Sequence, residues 1–229
     1  DRDWGTLDPV ISRQTIVQSE NSVRITYHAH YTNNGAALTV EIAIHANADG
    51  LDVSATGVAQ GVFETNRAGF TVLHPVNGVA GCPVDVGHSD GSTETTEFPD
   101  LIDPWQPFMD ITSLAHQVGP NLVTCHLRGD IFEMEDQRQW GDASFKTYNR
   151  PLAKPWPYEI ADGAALDQSV ALTWQKAQQQ ARPTPPALSV SPKFPQMALV
   201  ITPEDAWRLA QTPTDLDHVN PQRLLCHLD

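Results

Sequence analysis

Residues 132–148, FEMEDQRQWGDASFKTY, hold the densest set of reactive groups in the chain. Glu133, Glu135, Asp136, Arg138, Asp142 and Lys146 stand among Trp140, Phe145 and Tyr148. Strand side chains alternate between faces. Read as extended chain, Phe132, Met134 and Asp136 share one face, and Glu133, Glu135 and Gln137 share the other. Gly141 permits a bend. After it Ser144, Lys146 and Tyr148 lie together, with Phe145 and Thr147 opposite. Two short strands result, each with an apolar side for packing and a polar side for a ligand. Carboxylates, a guanidinium and an amine in one hollow suit sugar hydroxyls or an ester carbonyl. The alternative is a hairpin rim laced with ion pairs.

Hydrolysis of an ester needs a base for water, a donor for the carbonyl oxygen and grips on the substrate. Glu135 or Glu133 is the candidate base, and paired carboxylates raise one another's pKa, so one of them is expected to hold its proton. Lys146 or Arg138 is the candidate oxyanion donor. His74, at a strand end before Pro75, is a candidate acid or base, although a lone histidine is more often structural. Asn66, Arg67, Asp136, Trp140, Asp142 and Trp105 are candidate substrate-binding residues. Arg67 has the alternatives of capping a loop or pairing with Glu64.

Short strands must position these groups. Around residues 19–22, 33–35 and 49–50, turn signals separate runs at 23–31, 38–46 and 51–58, in which apolar and polar residues alternate. Asn33-Asn34-Gly35 tolerates the positive φ of a hairpin turn. Thr39, Glu41, Ala43 and His45 lie opposite Val40, Ile42 and Ile44, so Glu41 and His45 either line a groove or form a solvated face. His28 and His30 have HxH spacing, but no third ligand stands near, so no metal is expected. Strands are also expected at 71–74, 93–98, 121–130 and 168–174. His88-Ser89-Asp90-Gly91 reads as a turn, and residues 113–117 as a single helical turn. Residues 98–110, with three prolines among Trp105 and Phe108, exclude a long helix or central strand. They read as a plug for the sandwich end or a lid over a cleft.

Composition narrows the classes. The chain has 229 residues and a formal net charge of −14. That balance disfavours nucleic acid and anionic membranes. Three cysteines without CxxC spacing argue against a complete disulfide set and for a reducing cytoplasm. No membrane-spanning run and no leader is visible. Gly87-His88-Ser89-Asp90-Gly91 has the Gly-x-Ser-x-Gly spelling, but its Asp-Gly reads as a hairpin turn between strands, not as the strand-to-helix elbow of a nucleophilic serine, and phosphate-binding glycine loops are missing from the sequence. No cofactor is implied.

FEMEDQR, then DASFKTY-RPL and PWPY, resemble bacterial proteins related to D-apionate lactonase. NRAGFTVLHP (66–75), HSDG (88–91) and FPDLIDPWQPFMDI (98–111) agree, so the resemblance covers most of residues 60–172. It implies an N-terminal β-sandwich joined to a TIM-type barrel and an activity that opens a sugar-derived lactone. The strand pattern is also similar to galactose-mutarotase-like supersandwiches, in which a His and a Glu act on a sugar.

The expected architecture is therefore mainly β: an antiparallel β-sandwich over 1–175, a Pro/Gln-rich linker over 176–192, and a partial βα unit over 193–229 that resembles the start of a barrel. Thr202-Pro203-Glu204-Asp205 is a helix start within that unit. A lone unit cannot bury both faces, so it packs against the β domain or a missing barrel, or a homo-oligomer covers it. The expected function is a sugar-lactone hydrolase, a carboxylic ester hydrolase, or the N-terminal domain of one. A non-catalytic carbohydrate-binding domain and a mutarotase- or epimerase-like enzyme are the alternatives. The expected partner is a small sugar or sugar lactone.

Overall fold

The structure, a computed structural model, describes residues 1–177, 198–212, 214 and 223–226. The chain divides into two compact units, Asp1–Gln180 and Ala181–Asp229. Most of the 176–192 segment lies outside the described residues. Lys176 itself ends a strand.

The first unit is built on a nine-stranded sheet. It takes β1 (Val10–Gln18), β2 (Ser22–Asn33), β3 (Ala36–Asn47), β4 (Gly50–Gln60), β7 (Pro83–His88), β8 (Thr93–Glu97), β9 (Ile111–Val118), β10 (Asn121–Arg128) and β14 (Ala165–Lys176). Their order is β1-β2-β3-β4-β14-β10-β9-β7-β8, and every pairing is antiparallel. Two smaller sheets carry the remaining strands of this unit. One has the order β11-β12-β6, from β6 (Thr71–Pro75), β11 (Glu133–Asp136) and β12 (Ser144–Tyr148); the other pairs β5 (Phe63–Thr65) with β13 (Tyr158–Ile160).

Alternation explains the layering. Val84, Val86, Leu114, Cys125, Leu127 and Val170 from the large sheet meet Met134 and Phe145 from the three-stranded sheet in one buried cluster. Leu38, Val40, Ala55 and Ala59 meet Phe63 and Ile160 in a second. Face-to-face burial of two apolar sides is what defines a β-sandwich. The unit is mainly antiparallel β, as the alternating runs imply.

Residues 113–117 are not a helical turn. They lie within β9, which pairs with both β10 and β7. His116 occupies an inward, buried position where an apolar residue would have revealed the strand. The proline-rich segment 98–110 is divided in its role. Phe98 and Phe108 are buried, with ring centroids 5.4 Å apart, and plug the core. Trp105 remains 76% exposed.

In the second unit, β15 (Ala198–Ile201) and β16 (Arg223–Cys226) pair in parallel, with α1 (Pro203–Gln211) between them in sequence. Thr202 caps α1: its hydroxyl accepts from Asp205 N at 3.2 Å, and the Asp205 carboxylate accepts from Thr202 N at 3.1 Å. This reciprocal pairing satisfies two donors that a helix start otherwise leaves open.

Candidate functional site

The three-stranded sheet sorts the sequence-predicted residues by face. Glu133 opposes Tyr148, Glu135 opposes Lys146, and Asp136 opposes Phe145. On the other side of β12, Phe145 opposes His74 and Lys146 opposes Leu73. Directly opposed residues project to the same side of a sheet. Glu133, Glu135, Lys146 and Tyr148 therefore share the outer face. Met134, Asp136, Phe145, Thr147 and His74 share the inner one.

On the outer face each carboxylate has its own partners. The Tyr148 hydroxyl donates to Glu133 Oε1 at 2.5 Å, and Leu152 N donates to the same oxygen at 2.7 Å. Lys146 Nζ lies 2.6 Å from Glu135 Oε2, and Trp140 Nε1 donates to Glu135 Oε1 at 2.8 Å. The shared-proton arrangement expected of two paired glutamates is not what forms. Burial alone would raise the Glu135 pKa, but bonds from Lys146 and Trp140 and the Lys146 charge outweigh it and hold the carboxyl below its ordinary range. Burial, and then the bond to Glu133, push the Tyr148 phenol upward, so it stays protonated. Glu133 is only 3% exposed. Glu135 and Lys146 are the half-buried, reachable members.

Arg67 joins this cluster from the loop before β6, with Asn66 beside it in sequence. The Arg67 guanidinium lies 5.6 Å from the Tyr148 ring centre and 5.0 Å from that of Trp4. It also donates to Asn66 O at 2.9 Å, while Glu64 pairs instead with Arg2 at 3.7 Å. Asn66 is buried, donates to Arg2 O at 3.0 Å and leaves its Oδ1 unpartnered. Trp140 is exposed at the rim. Asp142 is exposed too and accepts from the Ser144 hydroxyl at 3.2 Å.

Four candidates fall elsewhere. His74 does not open into a hollow with the glutamates. It is 5% exposed on the inner face, hydrogen-bonded to the Thr147 hydroxyl at 3.0 Å and edge-on to His116 at 5.7 Å. Burial, reinforced by His116, lowers its pKa to about 4, so it is neutral at pH 7. Asp136 is fully buried and forms a two-point pair with Arg138, Oδ1 to Nε at 2.9 Å and Oδ2 to Nη2 at 2.7 Å. Arg138 also donates to the carbonyls of Pro99, Asp100 and Leu101 at 3.0, 2.7 and 3.0 Å. Its donors pair with Asp136 and clamp the proline-rich loop, so the guanidinium faces the core and that loop and not the Glu135–Lys146 pair. Trp105, on that loop, points away from the core.

Sequence reasoning gave Tyr148 a face but no partner, and it passed over Trp4. Cross-strand register supplies the first. Chain return over more than sixty residues, from Trp4 to Arg67, supplies the second.

A groove of about 910 Å³ opens on the large sheet and includes Ser12, His28, His30, Glu41 and Asp167. His45, which shares a strand face with Glu41, is outside it. Among the described residues no group of three or more His, Cys, Asp or Glu is arranged to hold a metal ion. Nor is any helix among them long and apolar enough to cross a membrane.

Comparison with known proteins adds the following. Residues 1–177 match the family "D-apionate lactonase, N-terminal domain". The chain is 42% identical to a D-apionate lactonase of Brucella anthropi over 240 aligned positions, an alignment that takes in 100% of this chain and 39% of that protein. The chain thus spans well under half the length of that curated relative. Among solved structures, a candidate aldose 1-epimerase of Escherichia coli K12 aligns over 72% of this chain and 69% of its own, at 12% identity and a TM-score of 0.38. A galactose mutarotase related enzyme of Lactobacillus acidophilus aligns over 74% and 73%, at 7% identity and a TM-score of 0.25.

Proposed function

The chain belongs to the D-apionate lactonase family through its N-terminal domain, and from that premise we propose that it serves in the hydrolysis of a sugar lactone of the D-apionate type. The single observation that carries a catalytic role for this domain is the Glu135–Lys146 pair, held at 2.6 Å and half-buried on the outer face. An ionised carboxylate beside an ammonium group supplies both a base for water and a cation for developing oxyanion charge.

In this reading Glu135 takes a proton from the attacking water as its oxygen bonds to the lactone carbonyl carbon. Lys146 stabilises the tetrahedral oxyanion. The ring C–O bond then breaks, the released alkoxide takes the proton that Glu135 received from water, and the hydroxy acid leaves. Tyr148 stays protonated and donates its hydroxyl to Glu133, and that buried pair supports the Glu135–Lys146 pair from the same face. Arg67 grips substrate hydroxyls, the buried Asn66 supports its loop from within, and Trp140 and Asp142 border the approach. His74 and Arg138 act behind the sheet, as positioning residues for β12 and the loop. The division into a sandwich over 1–175, a linker over 176–192 and the opening of a barrel over 193–229 belongs to the same proposal. The parallel β15–α1–β16 arrangement supports it, because such units bury both faces only in a larger sheet. A barrel domain packed on this chain, or failing that a homo-oligomer, is the proposed assembly, in a reducing cytoplasm.

The test is acid release from the lactone of D-apionate, followed by pH-stat with the wild type, Glu135→Gln and Lys146→Ala. The expected result is release by the wild type and a fall of about a hundredfold or more in each variant. No release by the wild type, or unchanged release by Glu135→Gln, overturns the catalytic assignment.

A further inference from the structure

We propose that the open face of the nine-stranded sheet is a second ligand site, one that binds a neutral saccharide laid across strands β1, β2, β3, β4 and β14. Register carries the argument. Ser12 opposes His28, His28 opposes Glu41, Glu41 opposes Thr56, and Thr56 opposes Asp167. Five polar side chains thus form one row across five adjacent strands, and all five line the 910 Å³ groove. At the usual strand spacing the row is about 19 Å long. That is room for a chain of a few sugar units, more than a single small lactone needs.

Ser12, His28 and Glu41 of this row have partners before any ligand arrives. Ser12 Oγ lies 2.8 Å from His30 Nε2, and His30 Nδ1 lies 3.1 Å from Thr39 Oγ1, so both ring nitrogens are engaged. His28 Nε2 lies 3.3 Å from Glu41 Oε2. Groups fixed in this way lose less freedom on binding. Arg13, with φ of 53°, sits in the register break between Ser12 and Thr15 and also lines the groove. Such a bulge re-aims side chains at a sheet edge.

The chemistry selects the ligand class. Imidazoles, hydroxyls and carboxylates are the donors and acceptors that sugar hydroxyls require. Glu41 and Asp167, in a chain of net charge −14, work against an anionic ligand. The row offers no large apolar anchor of the kind a peptide interface relies on. This site is separate from the Glu135–Lys146 face: the row belongs to the large sheet, whereas that pair belongs to the three-stranded sheet on the other layer.

The test is an amide-resolved NMR titration with xylotetraose and cellotetraose as probes, for the wild type and the double variant Glu41→Gln/Asp167→Asn. Both residues are exposed, and the melting temperature of the variant is the check on its fold. The expected result is shifts confined to β1–β4 and β14 with at least one tetrasaccharide, weakened about tenfold or more in the variant. Acid release from the lactone stays unchanged in the variant, so failure of this site and failure of the catalytic reading are distinguishable. No shifts at millimolar sugar, equal shifts in the variant, or shifts on β11 and β12 instead would overturn the proposal.

Discussion

His74 and Lys146 stand on β6 and β12, which pair directly, yet their side chains leave the sheet on opposite faces. His74 opposes Phe145, while Lys146 opposes Leu73, one position further along. A step of one residue reverses the side. The histidine is consequently a buried neutral group at 5% exposure, and the lysine is a half-buried cation paired with Glu135. Charge chemistry and core chemistry are separated by the thickness of one sheet.

Lys146→Ala is expected to raise the Glu135 pKa, because the ammonium bond and charge that depress it are gone. The depressed value means the pair's stability is fully present above the ordinary carboxylate range and is lost as pH falls through the folded pKa of Glu135. With both partners partly exposed, the loss at pH 7 is roughly 1 kcal/mol or less. Carboxyl-detected NMR titration and denaturant unfolding at pH 7 and at pH 3 measure the two effects.

His74 makes the fold sensitive to mild acid. Its folded pKa of about 4 lies below its ordinary 6.5, so the unfolded chain takes up a proton first. Stability is complete above 6.5 and declines as pH falls towards 4, by up to roughly 3 kcal/mol from this group. His74→Leu is expected to be less stable at pH 7, because it strands the Thr147 hydroxyl. Its stability should also fall less steeply between pH 6.5 and 4, and a pH series of urea unfolding curves would show whether it does.

Arg138→Ala leaves the Asp136 carboxylate buried without its cation and frees three loop carbonyls. A loss of about 3–5 kcal/mol is expected, together with faster proteolysis within residues 98–110. Arg138→Lys should restore little, since an ammonium cannot reproduce the two-point pairing. Thermal unfolding and limited digestion report these outcomes.

Cys125 is buried in the core, and burial pushes its thiol up to about 12. It is expected to resist iodoacetamide at pH 8 in the native protein and to react at once in denaturant. Mass spectrometry of the Cys125 peptide decides it. Rapid native labelling would show that the strand opens easily.

Much of the site's local pattern was readable in the amino-acid order. Alternation along 132–136 and 144–148 places Glu133, Glu135, Lys146 and Tyr148 on the polar side and Met134 and Phe145 on the other, as the structure has them. The turn at Asn34-Gly35 and the cap at Thr202 were equally plain, because each depends on neighbours within a few residues. His116 hid its strand, since a buried histidine breaks the apolar rhythm that marks one.

Which strand lies beside which is a different kind of fact. Alternation assigns a residue to a side of its own strand, and pairing register then decides whether His74 joins Lys146 or turns away from it. The row from Ser12 to Asp167 draws on residues 155 positions apart in a chain of 229 and exists only once five strands align. Local propensity and side-chain period were therefore settled by the sequence alone. Partnership across strands was settled by the folded sandwich, because burial of the two apolar faces against each other selects one register out of many that satisfy the same local pattern.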